Sequence, residues 1–230
     1  MGKSNFGVLI CLAVSYLTGC ANPAFMISKA RGFDIRSKGS GNAGASNAAM
    51  TLGKKEGIFC ALFDFFKAYF TVKVTARCFP LIKSLRILAG SACILGHIFP
   101  FTMNFKGGKG LACLGGVILA YNFRIFAVIL PFEMLTVLLS AYLCTAAVSA
   151  SVIFAVIMLV KDGLMYALFF MPVIAAIWKR HTVNFRRIRY GVEVKIRYLW
   201  NRREEEERVR TNWESLSESE RLYVELPELG

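Results

Sequence analysis

Long apolar runs separated by short polar stretches dominate the chain. Phe6 to Ile27, Gly57 to Phe70, Leu85 to Phe101, Leu111 to Tyr121, Ile125 to Tyr142, Ala146 to Val160 and Leu164 to Trp178 are predominantly apolar. Such runs predict membrane helices, a perpendicular span needing about 20 residues. Leu111 to Tyr121 is about half that length. It reads as a half-span, or as a span continued through Asn122, Phe123 and Arg124. The expected fold is all-α, a polytopic transmembrane helical bundle of about seven spans including one short one. That bundle takes residues 1–198, followed by a charged tail over 199–230.

Two local features qualify the pattern. Leu17-Thr18-Gly19-Cys20 looks like the end of a bacterial lipoprotein signal. The apolar run continues through Pro23 to Ile27, however, which favours a first membrane helix kinked near Pro23. Asp64 and Lys67 interrupt the second run at i,i+3 spacing, so they share a helical face and predict a mutual ion pair at membrane depth.

Composition agrees with a membrane protein. Of 230 residues 56% are hydrophobic and 19% charged, and mean hydropathy is +0.50. Residues 1–200 hold 23 Lys/Arg against 6 Asp/Glu, whereas 201–230 hold 5 against 9. No separate basic, aromatic-studded domain is present, which argues against nucleic acid as a partner. The seven cysteines have no C-x-x-C spacing and sit mostly in apolar runs, so they read as small buried hydrophobes rather than metal ligands or disulfides.

Counting spans, with the short segment included, puts three polar stretches on one face. These are Lys29 to Glu56, Phe101 to Gly110, and the cluster from Lys179. The opposite loops hold four, one and one basic residues. Positive charge collects on the cytoplasmic side, so the richer face is expected there.

Each of the three stretches carries candidate chemistry. Gly39-Ser40-Gly41-Asn42-Ala43-Gly44-Ala45-Ser46-Asn47 is rich in glycine and hydrogen-bonding side chains. Lys106-Gly107-Gly108-Lys109-Gly110 precedes a helix start, and such turns can present consecutive amides to an anion. It is not a nucleotide P-loop, because Gly110 stands where Ser or Thr is needed after the lysine. In the third stretch His181, Asn184 and Ile188 would share one face of a continuing helix.

These stretches together resemble the bacterial acyl-phosphate:glycerol-3-phosphate acyltransferases, small polytopic enzymes of the cell inner membrane. Gly39 through Asn47 is similar to the family's GSGN-x-GATN. Gly96-His97-Ile98-Phe99-Pro100 with Phe105 through Gly110 is similar to GHxFP…FKGGKG. Arg180, His181, Asn184, Arg187, Gly191 and Glu193 are similar to RHREN-x-x-RL-x-x-G-x-E. The resemblance spans about residues 10–195. It implies acyl transfer from acyl phosphate to the 1-hydroxyl of glycerol 3-phosphate, giving lysophosphatidic acid and phosphate, the first step of phospholipid synthesis. Carried over position by position, Ser40, Lys109, His181 and Asn184 look like the catalytic contacts to glycerol phosphate. Gly41, Asn42, Gly44, Ser46, Gly107, Gly108 and Gly110 look like the acyl-phosphate pocket. His97 reads as a bracing histidine. No metal or cofactor is implied, the partners are the two substrates and membrane lipid, and the oligomeric state is open.

The departures are specific. The family usually has an arginine where this chain has Met50, with Lys54 or Lys55 as nearby substitutes. HREN has become His181-Thr182-Val183-Asn184, and Cys113 replaces a threonine. A weakened relative that only binds anionic lipid or phosphate, or a small anion transporter, are the alternatives. Neither His97 nor His181 is followed five residues later by Asp, unlike the soluble-type glycerolipid acyltransferases.

Overall fold

The computed structural model describes residues 2–224 and is all-helical, with eleven α-helices and no strand among them. The helices are α1 (Gly2–Cys20), α2 (Pro23–Ala30), α3 (Ala45–Thr51), α4 (Lys54–Cys78), α5 (Leu85–Ile98), α6 (Leu111–Tyr121), α7 (Phe123–Ser140), α8 (Leu143–Asp162), α9 (Leu164–Arg189), α10 (Arg202–Glu214) and α11 (Glu218–Tyr223).

Every apolar run of the sequence is helical, the first of them broken into α1 and α2. Three elements are long and apolar enough to cross a membrane: Leu85–Met103, α7 and α8. The pair α1 and α2, bent by 44°, makes a fourth if taken as one span. The helices α4 and α9 are 25 and 26 residues long but carry charges, and α6 has only 11 residues. The expected count of about seven is therefore not reached by length and apolarity alone. The short helix stops because Asn122 is extended (φ −161°, ψ 119°) and its side chain caps α7 instead of continuing α6. At the bend between α1 and α2, Asn22 caps Phe25 N–H and Pro23 takes the first helical position.

Packing relies on glycine where helices cross. A Cβ on Gly96 would lie 2.2 Å from the Tyr16 carbonyl oxygen, and one on Gly19 2.1 Å from that of Cys93, so α1 and α5 meet backbone to backbone. A Cβ on Gly116 would lie 2.0 Å from the Phe65 carbonyl oxygen, which sets the same close crossing between α4 and α6. Small residues bring membrane helices within van der Waals reach where no hydrophobic force drives them together. The main core runs through α4, α5, α6, α8 and α9, with Tyr121, Phe154 and Phe170 in successive edge-to-face contacts at 5.2 Å. Leu9, Val14, Leu62, Leu138, Leu139 and Val160 point outward, a lipid-facing apolar belt.

The expected Asp64–Lys67 pair forms, at 2.7 Å, and both side chains are buried. It has further partners. Lys67 Nζ also donates to the Ala21 and Gly19 carbonyls at 2.6 and 3.1 Å, and lies 3.2 Å from His97 Nδ1. One ammonium group thus joins the α1–α2 break, α4 and the end of α5.

The crossings predict that Gly96→Val and Gly116→Val each destabilise the fold by about 1–3 kcal/mol or more through overpacking. Thermal unfolding in detergent is the measurement. Gly7→Ala, whose Cβ would meet nothing nearer than 3.6 Å, is expected to leave the midpoint unchanged or raise it slightly, since alanine favours a helix over glycine.

Candidate active site

The first site loop is built by side chains that take over backbone bonding. Asp34 caps the 3-10 turn Ile35–Ser37 by accepting from Arg36 N–H at 3.0 Å. Arg36 grips the same carboxylate through Nε (2.9 Å) and Nη2 (2.7 Å), which holds its pKa well below the usual carboxylate range. Its remaining Nη1 reaches the Met103 carbonyl at 2.7 Å and ties this loop to the second one. Asn47 then sets the glycine turn. Its Nδ2 donates to the Ile35 and Lys38 carbonyls, and its Oδ1 accepts from Ser40 N–H at 2.8 Å. Gly39 (φ +62°) must be glycine, because a Cβ there would sit 2.1 Å from that Oδ1.

The second loop folds back on α5. Gly107 N–H donates to the Ile98 carbonyl and Gly108 N–H to the His97 carbonyl, both at 3.0 Å. A Cβ on Gly108 would lie 2.1 Å from His97 Nε2. Gly107 and Gly108, expected in the acyl-phosphate pocket, line neither cavity of the site; their N–H groups donate to the end of α5, and His97 and Pro100 leave no room there for a Cβ. Gly110, by contrast, starts α6 in a left-handed conformation (φ +90°) and faces the site.

The third stretch is the part of α9 beyond its apolar run. His181, Asn184 and Arg187 are buried on one helical face. Lys109 Nζ donates to Asn184 Oδ1 at 2.6 Å, and Asn184 Nδ2 donates to Glu193 Oε1 at 2.6 Å. Arg180 Nη2 donates to the Gly107 carbonyl, and Arg187 Nη1 lies 3.4 Å from the Ser40 carbonyl. His181 Nδ1 lies 2.8 Å from the Ile177 carbonyl, which can only accept, so Nδ1 carries the proton and Nε2 is left as an acceptor.

Two adjoining cavities result, each of about 270 Å³. The first is lined by Arg36, Lys38, Lys109, Arg180 and Arg187 with Ser40, Gly41 and Asn42, and by no carboxylate among the described residues. The second shares Ser40, Asn42 and Lys109 with it. It adds Gly44, Ser46, Gly110, His181 and Asn184, and continues along an apolar wall that includes Leu111, Leu143, Cys144, Ile196 and Leu199. Ser40, Lys109, His181 and Asn184 are therefore brought together. Arg36, Arg187 and Glu193 belong with them, although the sequence marks them only as loop charge and motif. Met50 lines the second cavity, while Lys54 and Lys55 are exposed at the start of α4 and reach neither.

Charge and burial oppose each other here. Burial pushes the Lys109 ammonium down to about 8; Glu193 works against this, and Arg187 and Arg180 add to it. Burial likewise raises the Glu193 carboxyl, with Lys109 and Asn184 opposing. His181, past the apolar part of α9, is lowered to about 4 by burial and by the nearby Lys109 and Arg180 charges, against its bond to Ile177. Asp64, His97 and Cys113 also bring ligand atoms within 4.8 Å of one another, but the Asp64 carboxylate already holds Lys67.

A sequence model described as glycerol-3-phosphate acyltransferase matches residues 9–191. The chain belongs to the glycerol-3-phosphate acyltransferase family. A relative of that name from Clostridioides difficile is 34% identical over 199 residues, covering 83% of this chain and 96% of the relative. One from Macrococcus caseolyticus is 33% identical over 195 residues, covering 83% and 98%. A crystal structure of PlsY, an integral membrane glycerol 3-phosphate acyltransferase in its glycerol 3-phosphate form, superimposes with a TM-score of 0.77 at 28% identity. It is matched over 97% of its length by 84% of this chain. A lysophosphatidic acid form of PlsY gives 0.72 at 27%.

The Asn47 bonds predict that Asn47→Leu, which keeps the volume and removes the polar partners of three backbone groups, releases the Ser40 turn. The KM for glycerol 3-phosphate is expected to rise at least about tenfold, the loss of one to two hydrogen bonds' worth of positioning. Steady-state kinetics on the folded variant measures it.

Proposed function

We propose that the chain transfers an acyl group from acyl phosphate to the 1-hydroxyl of glycerol 3-phosphate, giving lysophosphatidic acid and inorganic phosphate. The carrying observation is the pair of joined cavities, one ringed by five cations and one continuing along an apolar wall, which share Ser40, Asn42 and Lys109. That is the equipment for two phosphorylated substrates, one of which has a hydrocarbon chain. The cytoplasmic face of a bacterial cell inner membrane, multi-pass, is the setting we assign, on the positive charge of this end of the bundle.

The glycerol-phosphate oxygen attacks the acyl carbonyl, the bond from that carbon to the phosphate oxygen breaks, and phosphate leaves with the electron pair. A mixed anhydride is already activated, so the reaction needs no cofactor and no enzyme nucleophile. Lys109, with the donors around it, stabilises charge that develops on the carbonyl and the departing phosphate. His181 Nε2 accepts from the attacking hydroxyl and orients it. The proton ends on phosphate, because a phosphate's second ionisation near about 6 makes it a stronger base than an imidazole held at about 4. Glycerol phosphate is held by Ser40, Asn184 and the cation ring, and the acyl phosphate by Gly41, Asn42, Gly44, Ser46 and Gly110.

A catalytically weakened phosphate binder is the second reading, favoured by Met50, which brings no charge to the second cavity. The five cations around the first cavity favour turnover instead.

Offered acyl phosphate, acyl-CoA and acyl carrier protein in turn, each with glycerol 3-phosphate, purified protein is expected to make lysophosphatidic acid from acyl phosphate alone. Lys109→Ala is expected to lower the rate by about 100-fold or more. Well-folded protein that is silent with all three donors removes the reading. Because the free-site Lys109 loses its proton as pH rises through about 8, the KM for glycerol 3-phosphate is expected to climb above that pH and stay level between there and about 7, where the substrate phosphate keeps its second charge. A flat profile from pH 7 to 9.5 (a range of about 2.5 units) would exclude Lys109 as the phosphate cation.

A further inference from the structure

The family match ends at residue 191, yet the wall of the second cavity runs on through Val194, Ile196, Tyr198 and Leu199. The C-terminal helices fix these residues in place. Ile196 N–H donates to the Ala141 carbonyl at 2.8 Å, beside the cavity residues Leu143 and Cys144. Glu205, wholly buried on α10, accepts from Lys195 N–H at 2.8 Å and from Arg197 Nε at 2.6 Å, and pairs with Arg208. Arg208 in turn donates to the Glu193 carbonyl at 2.6 Å, and Asn212 to that of Gly191 at 2.8 Å. Val192, Val209 and Val224 close a small dry core beneath, with Trp213 and Leu216 packed against it. A buried carboxylate is costly unless its oxygens are met from several sides, and Glu205 is met by Arg208 of α10 and by Lys195 and Arg197, which flank the wall residue Ile196. Within the charged tail expected over 199–230, the described residues thus form two helices, α10 and α11, packed behind that wall.

We infer that this C-terminal module, held through Glu205, forms the wall that selects the acyl chain of the donor. The inference rests on the acyl-transfer reading above. The occupant is a hydrocarbon chain because the wall is apolar and begins beside Lys109, His181 and Asn184, the groups given the reacting ends of the two substrates in that reading. The module lies beyond residue 191, where the match to the family model stops. Changes of a methylene or so in such a pocket shift rates by about tenfold or more.

The test is the rate of lysophosphatidic acid formation from acyl phosphates of graded chain length, for the full chain and three variants. Ile196→Trp is expected to move the preferred donor to a shorter chain and to cut the rate with the wild-type optimum by about tenfold. Ile196→Ala is expected to move it to a longer or bulkier chain. Glu205→Ala, with the wall unpinned, is expected to flatten the profile while the KM for glycerol 3-phosphate stays closer to wild type than the chain-length ratios do. A wild type that turns over, with all variants sharing its chain-length profile, overturns the wall and leaves the acyl-transfer reading standing. A wild type silent with every donor overturns that reading and the inference with it.

Discussion

The site concentrates positive charge where water is scarce. Five cations converge on a cavity that holds no carboxylate among the described residues, at the end of an apolar bundle. Like charges that close repel, and burial makes Lys109 and Arg180 costlier to keep ionised. The fold answers partly from behind. Asp34 neutralises Arg36 on the loop side, and the chain Lys109–Asn184–Glu193 leads a negative charge toward the ammonium through one amide. The offset is incomplete, and the lowered Lys109 records the remainder. Binding a phosphate would remove that remainder, so the cation ring gains from the ligand what the protein's own carboxylates do not supply.

Other features of the molecule follow from holding that arrangement rigid. Three stretches distant in sequence must meet within a few ångströms, so each is pinned by side-chain-to-backbone bonds: Arg36 to Met103, Asn47 to Lys38, Arg180 to Gly107. Beneath them, Lys67 joins the α1–α2 break to α4 and α5, and the glycine crossings set the distances between helices.

Much of this is legible in the sequence. Apolar runs mark the helices because a 3.6-residue repeat with no polar interruption has few other outcomes in a membrane. Motif order brings Ser40, Lys109, His181 and Asn184 to attention, and the i,i+3 spacing of His181 and Asn184 puts them on one face. The parts that stay hidden depend on three-dimensional neighbours. A glycine that frees an amide and a glycine that accommodates an imidazole look identical in sequence, so the motif alone does not separate Gly110, which faces the second cavity, from Gly107 and Gly108, which pack against His97 and Pro100. Loop charge does not distinguish Arg36, turned inward by Asp34, from Lys54 and Lys55 in solvent. Glu205 sits in a run of four glutamates, and nothing in that run marks it as the one that is buried.

Binding of glycerol 3-phosphate, compared with glycerol, by purified protein in detergent tests the charge argument most directly. Calorimetric titration is expected to give measurable affinity for glycerol 3-phosphate, none for glycerol, and at least about tenfold weaker binding of the phosphate ligand by Lys109→Met, the loss of one charge-assisted contact. Equal affinity for the two ligands, or phosphate binding untouched by Lys109→Met, would contradict the account.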